Sequence, residues 1–272
     1  MDAILGESTI RQRKKKLRET ALSNRPGDSY TKTLTRLKAQ NGNRPGLGLK
    51  VLTWVLCSER PLRGEELCHA LGVELGSADL DLEGVPALQT LLSSCLGLLT
   101  VEASSSTVQL VHFTLQEHLS SDLTLFDSPH SKIAEVCLTY LNSRSVKDLS
   151  PTLLSAPSTV PLLEYACFYW GEHSGRGMTE NVRILALRLL EKFDEHISAQ
   201  LLLLSHERDR FWGPRFNGTR GPTGFTGLHG AAFLGIAKIV AAILEMKEWD
   251  VNAADCTGST ALIWAAPEGK RR

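Results

Sequence analysis

The chain has 272 residues, which suits about two compact units at roughly 100–200 residues per domain. Hydrophobic residues make up 42% and charged residues 22%, an ordinary globular mixture. The formal net charge of zero excludes a global field that would draw in nucleic acid, a membrane surface or an acidic substrate.

The N-terminus is polar and basic, without the apolar run of a secretory signal. Residues 1–22 carry a helical apolar step through Ile4, Leu5, Ile10, Leu17, Ala21 and Leu22. The basic run Arg11–Arg18 reads first as a solvated helix face; the sharper alternative is a nuclear-localisation or anion-binding patch. Asp28 is expected to cap a helix over "SYTKTLTRLKAQ", which "NGNRPG" ends.

The next 75 residues or so are expected to run helix, helix, helix, hairpin, helix. "LGLKVLTWVLCSE" and "RGEELCHALGV" are the first two helices, the latter with Leu67, Ala70 and Leu71 on one side. An acidic loop leads to the third, "VPALQTLLSSC". The period then falls to two in "GLLTVEA" and "TVQLVHF", separated by serines, and "TLQEHLSS" resumes helix. That order is a winged helix, a helix-turn-helix variant with a β wing. Its third helix holds no Lys or Arg, which argues against reading DNA bases and phosphates and favours a packing role.

From Ser128 to Ser205 four apolar-stepped segments predict an antiparallel helical array, with Tyr165, Phe168, Tyr169 and Trp170 as core. The Gly-, Pro- and Arg-rich stretch that follows is a linker. The six cysteines form no C-x-x-C pair and mostly sit in apolar runs, as reduced cytosolic cysteines do. The sequon at Asn217 would matter only in a secreted chain. No apolar run is long enough for a membrane span.

"GFTGLHGAAFLG" carries Gly224, Thr226, Leu228, His229, Ala231, Ala232 and Gly235 on the ankyrin pattern G-x-T-P-L-H-x-A-A-x-x-G. A second copy places Gly258, Thr260, Leu262, Ala265, Ala266 and Gly269 in register, 34 residues on. In this pattern Thr226 is expected to cap the first helix, His229 to tie down the turn and the alanines to admit a close neighbour. These roles are structural rather than catalytic or metal-binding. Gly227 and Ala261 stand where Pro is usual, Ile263 replaces the second His, and Pro267 interrupts the second copy, which lacks a second helix. One complete repeat should be marginal unless it packs on the helices before it.

"LKVLTWVLCSERPLRGEELCHALGV", "LLSSCLGLLTVE", "VQLVHFTLQEHLSS" and "SPHSKIAEVCLTYLN" together resemble the winged-helix region of fungal NACHT–ankyrin proteins, also known as the GPI inositol-deacylase winged-helix family. The resemblance runs from about Leu17 to Gly269. It implies a mainly α fold: a winged helix with a small wing, an antiparallel helical array and ankyrin helix pairs. The expected domains are residues 1–45 (the tail of a NACHT-type module), 46–122 (winged helix), 128–206 (helical array), 207–223 (linker) and 224–272 (one complete and one truncated repeat). Such proteins are STAND-class signalling NTPases, with a nucleotide switch before this arm and an ankyrin sensor after it.

No P-loop occurs; "GESTIRQRKKK" at Gly6 lacks the Gly-Lys-Ser/Thr end that cradles phosphates. In related switches a histidine near the end of the second wing strand senses nucleotide phosphates, which makes His112 a candidate. Phe113 stands where an Asp often follows, and the default for His112 is a buried structural residue beneath the wing. The expected function is a non-catalytic scaffold. It binds a protein partner through its ankyrin surface, and a NACHT module where the parent protein has one. It needs no cofactor or metal and contacts neither nucleic acid nor membrane. The expected location is the cytoplasm, with the nucleus as the alternative that the basic run raises. Two further readings stay open, a fragment of a NACHT NTPase and a DNA-binding winged helix. A truncated gene model, a remnant and a true short product are all compatible with the chain.

Overall fold

A computed structural model describes residues 26–121, 125–209 and 221–266. Expectations for the first 22 residues, Arg11–Arg18, Asn217, Pro267 and Gly269 lie outside them. The described chain is mainly helical with one two-stranded antiparallel hairpin. It divides into two compact units. The first takes the chain up to Pro61 and returns for Gln89–Asp127; the second takes Leu62–Leu88 and everything from Ser128.

In the first unit α1 spans Pro26–Lys38. It begins two residues before Asp28, so Asp28 lies inside the first turn and is not the cap. A proline is preorganised for a first helical turn, and Pro26 takes that place. The same device opens α2, Arg44–Cys57, with Pro45 in its first turn. The "RPG" that was expected to be loop is therefore the start of the helix. Helix α1 packs on α5, Phe113–Ser121, where the Tyr30 and Thr114 hydroxyls lie 2.9 Å apart.

Helix α4 covers Leu88–Ser94 only, shorter than expected at its N-terminal end. Its last carbonyl is satisfied from outside the helix: the Gln40 side-chain amide donates to the Ser94 carbonyl at 2.8 Å. Gly48 on α2 lies so close that a Cβ there would come within 2.8 Å of that same oxygen. Two residues with positive φ, Leu96 and Gly97, turn the chain into the hairpin. Strand β1 (Leu99–Val101) pairs with β2 (Val108–Leu110) in the register Leu99↔Leu110, Thr100↔Gln109, Val101↔Val108. Leu99 and Val108 are buried, the intervening Thr100 and Gln109 are exposed, and the alternation in the sequence is thereby accounted for. The core around them holds Leu37, Val51, Leu52, Leu91, Leu115 and Leu119.

The second unit begins with α3, Gly64–Gly72, whose Glu66 carboxylate accepts the Arg63 backbone N–H at 2.7 Å. The acidic loop after it is anchored by Asp79, which accepts the Ser145 N–H (2.9 Å), the Ser145 hydroxyl (2.6 Å) and the Leu80 N–H (2.8 Å). The Ser145 hydrogen bonds hold the Asp79 carboxyl below its ordinary value. Ser145 lies in a four-residue helix, α7 (Arg144–Lys147).

The array consists of α6 (Pro129–Leu141), α8 (Leu163–Arg176), α9 (Glu180–Leu190) and α10 (Ile197–Asp209), with a 3₁₀ turn at Phe193–Glu195. Helices α8 and α9 both pack on α6. Tyr165 and Trp170 are fully buried, and Phe168 and Tyr169 half-buried, in agreement with a packing role for this aromatic run. Helix α10 continues to Asp209, into the stretch expected to be linker. Helices α11 (Gly227–Phe233) and α12 (Ala237–Met246) form a helix pair, and α13 (Ala261–Ala265) follows a turn.

Candidate functional site

In the first unit, a pocket of about 370 Å³ lies beside the wing, lined among others by Val55, Leu56, Ser58, Gln109, His112 and Gln116. His112 follows β2 and is exposed, not buried beneath the wing. Its Nδ1 accepts the Thr114 backbone N–H at 3.2 Å and lies 2.8 Å from the Thr114 hydroxyl. The imidazole thus serves one of the open amides at the start of α5. Burial was expected because His112 follows an apolar strand. The helix starts one residue later, and that start faces solvent: Phe113, stacked on the ring at 4.7 Å, is 66% exposed.

In the second unit, the residues of the repeat pattern converge on one joint. His229 is buried on α11; its Nδ1 lies 2.8 Å from the Thr226 hydroxyl and its Nε2 3.1 Å from the Ala253 carbonyl. A carbonyl only accepts, so Nε2 carries the proton and Nδ1 accepts from Thr226. Thr226 therefore stands at the N-cap position but spends its hydroxyl on the imidazole instead of a backbone amide. The expected cap is replaced by a Thr–His–carbonyl relay that ties the helix start to the next turn.

That turn is organised by Asp255, which the sequence reading passed over. One carboxylate oxygen accepts the Thr257 N–H (2.8 Å), the Thr257 hydroxyl (2.6 Å) and the Ser259 N–H (3.0 Å). The other accepts the Trp264 indole N–H at 2.7 Å. The stretch "DCTGS" carried a signal, since an Asp followed by Thr and Gly builds such turns. A bridge between Ala254 and Thr260 and a bond from the Cys256 N–H to the Thr223 carbonyl complete the joint. Gly224, Gly235 and Gly258 all have positive φ. Leu228, Ala231 and Ala232 are buried, whereas Leu262, Ala265 and Ala266 are exposed.

The helix pair is seated on the array. Phe225 packs on Phe193 (ring centroids 6.1 Å) and Trp264 (5.3 Å), and Trp264 also meets His206 (4.7 Å). This seat accounts for Gly227, where Pro is usual. A Cβ there would overlap the Leu190 carbonyl, and one at Gly230 would come within 2.5 Å of the Phe193 ring.

A smaller pocket of about 200 Å³ is lined by Lys147, Arg188, Glu191, Lys192, Glu195 and His196, among others. Burial, and then the neighbouring Arg188, hold the Lys147 ammonium below its ordinary value. His196 is buried, with Nε2 3.0 Å from the Leu141 carbonyl and Nδ1 accepting the Ser198 N–H at 3.1 Å. Burial pushes its pKa down to about 4. Cys95 and Cys167 are likewise desolvated, their thiols pushed up to about 11 and about 12. Both stay protonated and unreactive at neutral pH.

These features define a mainly α protein with a β wing, followed by a helical array. Residues 37–134 match the family described as GPI inositol-deacylase, winged helix domain. That stretch contains α2 to α5 and the hairpin, the element order of a winged helix. No curated protein and no solved structure matches the chain. Among the described residues, no helix is long and apolar enough to cross a membrane.

Proposed function

We propose that the protein is a non-catalytic interaction scaffold, in which a winged-helix domain and a helical array carry an ankyrin-type unit that binds another protein. The observation that carries this reading is the division of labour in the repeat. The Thr226–His229–Ala253 relay and the Asp255 turn are spent on holding the unit together, while Leu262 and Ile263 on α13 remain 80% and 57% exposed. Exposed apolar side chains on a rigid, internally satisfied support are what a protein partner covers.

On this reading the chain resembles the segment between the nucleotide switch and the ankyrin sensor of a STAND-class protein. A NACHT module is then the neighbour expected in a longer parent chain. That none of the six cysteines is in a disulfide accords with the cytoplasm. DNA readout is disfavoured, because α4, the third helix of the winged-helix order, is the seven-residue LQTLLSS without a basic side chain.

A photo-crosslinking residue at position 262 of the full chain tests the reading, with the same probe at Ser104 on the wing turn as reference. A protein adduct specific to position 262, lost in the Ile263→Asp background, is expected. Equal labelling from both positions, or saturable tight binding of ATP or GTP to the purified chain, would overturn it.

A further inference from the structure

Helices α6 and α8 bring a pair of histidines together that neither the repeat nor the winged helix uses. His130 lies in the first turn of α6 and is half-buried; His173, near the end of α8, is fully buried. Their Nδ1 atoms are 2.9 Å apart, with ring centroids at 5.1 Å and planes inclined by 29°. The other nitrogen of His173, Nε2, lies 2.9 Å from the hydroxyl of Tyr165, two turns earlier on the same helix and also fully buried.

We propose that His130 and His173 are two ligands of a divalent transition-metal ion of the zinc type, held between their Nδ1 atoms. Four features of the site lead there. The two Nδ1 atoms, each able to ligate in its ring plane once unprotonated, face one another across a gap of 2.9 Å. In the apo protein a single proton fills that gap, because one imidazole donates and the other accepts. Two nitrogens on one tetrahedral zinc at about 2.0–2.1 Å each stand about 3.3 Å apart, so the pair must open by only about 0.4 Å. His130 is half-exposed and at the start of its helix, where a small rotation of the ring is possible.

The phenol supplies the second part of the argument. A ligating histidine ordinarily donates its other N–H to an oxygen, which fixes the tautomer and raises the basicity of the ligating nitrogen. Tyr165 Oη is placed to accept from His173 Nε2, and that tautomer leaves Nδ1 of His173 as a lone pair. Imidazole selects zinc, copper, nickel or cobalt over magnesium and calcium. His130 links the buried histidine to solvent and provides the path of entry. On binding, His130 gives up its Nδ1 proton and takes one at Nε2, so both ligands remain neutral imidazoles and no net proton is released.

The test uses the full chain, stripped with a chelator and titrated with Zn²⁺ by calorimetry in excess Mg²⁺. One saturable equivalent is expected, with an upward shift of the melting temperature. His130→Ala, at the half-exposed position, is expected to weaken uptake at least tenfold, and Tyr165→Phe by several-fold at unchanged stoichiometry. Because His173→Ala removes a fully buried ring, a second measurement stands in for it: Cu²⁺ bound to the wild type should show two coupled imidazole nitrogens by electron paramagnetic resonance, and one in His130→Ala. No saturable Zn²⁺ uptake, or uptake unchanged by His130→Ala, overturns the proposal and leaves a purely hydrogen-bonded pair.

Discussion

Acidification should destabilise the second unit through one identified group, His196. In the folded chain its ring is buried, Nε2–H donates to the Leu141 carbonyl and Nδ1 accepts from the Ser198 amide. A second proton would have to go on Nδ1, against an N–H donor, in a buried site with Lys147 nearby. The folded pKa is therefore about 4, against about 6.5 for an unperturbed histidine. Its sign follows from proton uptake. Above pH 6.5 neither state binds the proton and the contribution is whole. Between 6.5 and about 4 the unfolded chain binds it and the folded chain does not, so stability falls as pH falls. By linkage the loss is on the order of 1 kcal/mol at pH 5.5 and about 2–3 kcal/mol at pH 4.5.

The assay is urea unfolding at pH 7.5, 5.5 and 4.5, for the wild type and for His196→Gln. The glutamine keeps a neutral donor toward Leu141 and cannot titrate. Carboxylates such as Asp79 titrate in both proteins and cancel in the comparison. The variant is expected to be less stable at pH 7.5 but to lose about 2–3 kcal/mol less on going to pH 4.5. Parallel curves for the two proteins would refute the assignment of a neutral, buried His196.

Phe225→Ala removes the ring between Phe193 and Trp264 and should cost about 3–5 kcal/mol, read as a lower urea midpoint at unchanged helicity below the transition. Asp255→Asn forces an amide NH₂ against either the turn N–H groups or the Trp264 indole; a loss of about 1–3 kcal/mol in thermal unfolding is expected, with a red-shifted Trp emission. Gly48→Ala drives a methyl into the Ser94 carbonyl and should cost about 1–3 kcal/mol in the first unit, although alanine is the better helix former. A Gly48→Ala protein as stable as the wild type would show that α2 and α4 can move apart freely.

Much of this architecture is local and so was legible. The apolar steps of α6, α8 and α9, the period-two strands and the order of elements around the wing are set by backbone propensity and by side chains a few residues apart, which a sequence displays directly. The boundaries were less legible where proline was taken as a breaker: Pro26 and Pro45 open helices, because a proline in the first turn loses no hydrogen bond.

The candidate site divides along the same line. His229 and Thr226 are three residues apart, and each was readable as part of the motif, as turn anchor and as cap, but not that the threonine would serve the imidazole and leave the backbone amide uncapped. Gly227 was visible as a departure from the repeat pattern, but its reason, the Leu190 carbonyl against it, comes from a helix 37 residues earlier in the chain. The exposure of His112 depends on where α5 begins and on what lies across it. The pairing of His130 with His173 spans 43 positions and exists only because α6 and α8 pack side by side. The sequence by itself thus determined the kinds of element and their order. Tertiary packing decided which polar side chains meet, since such meetings depend on distances between helices that no local pattern encodes.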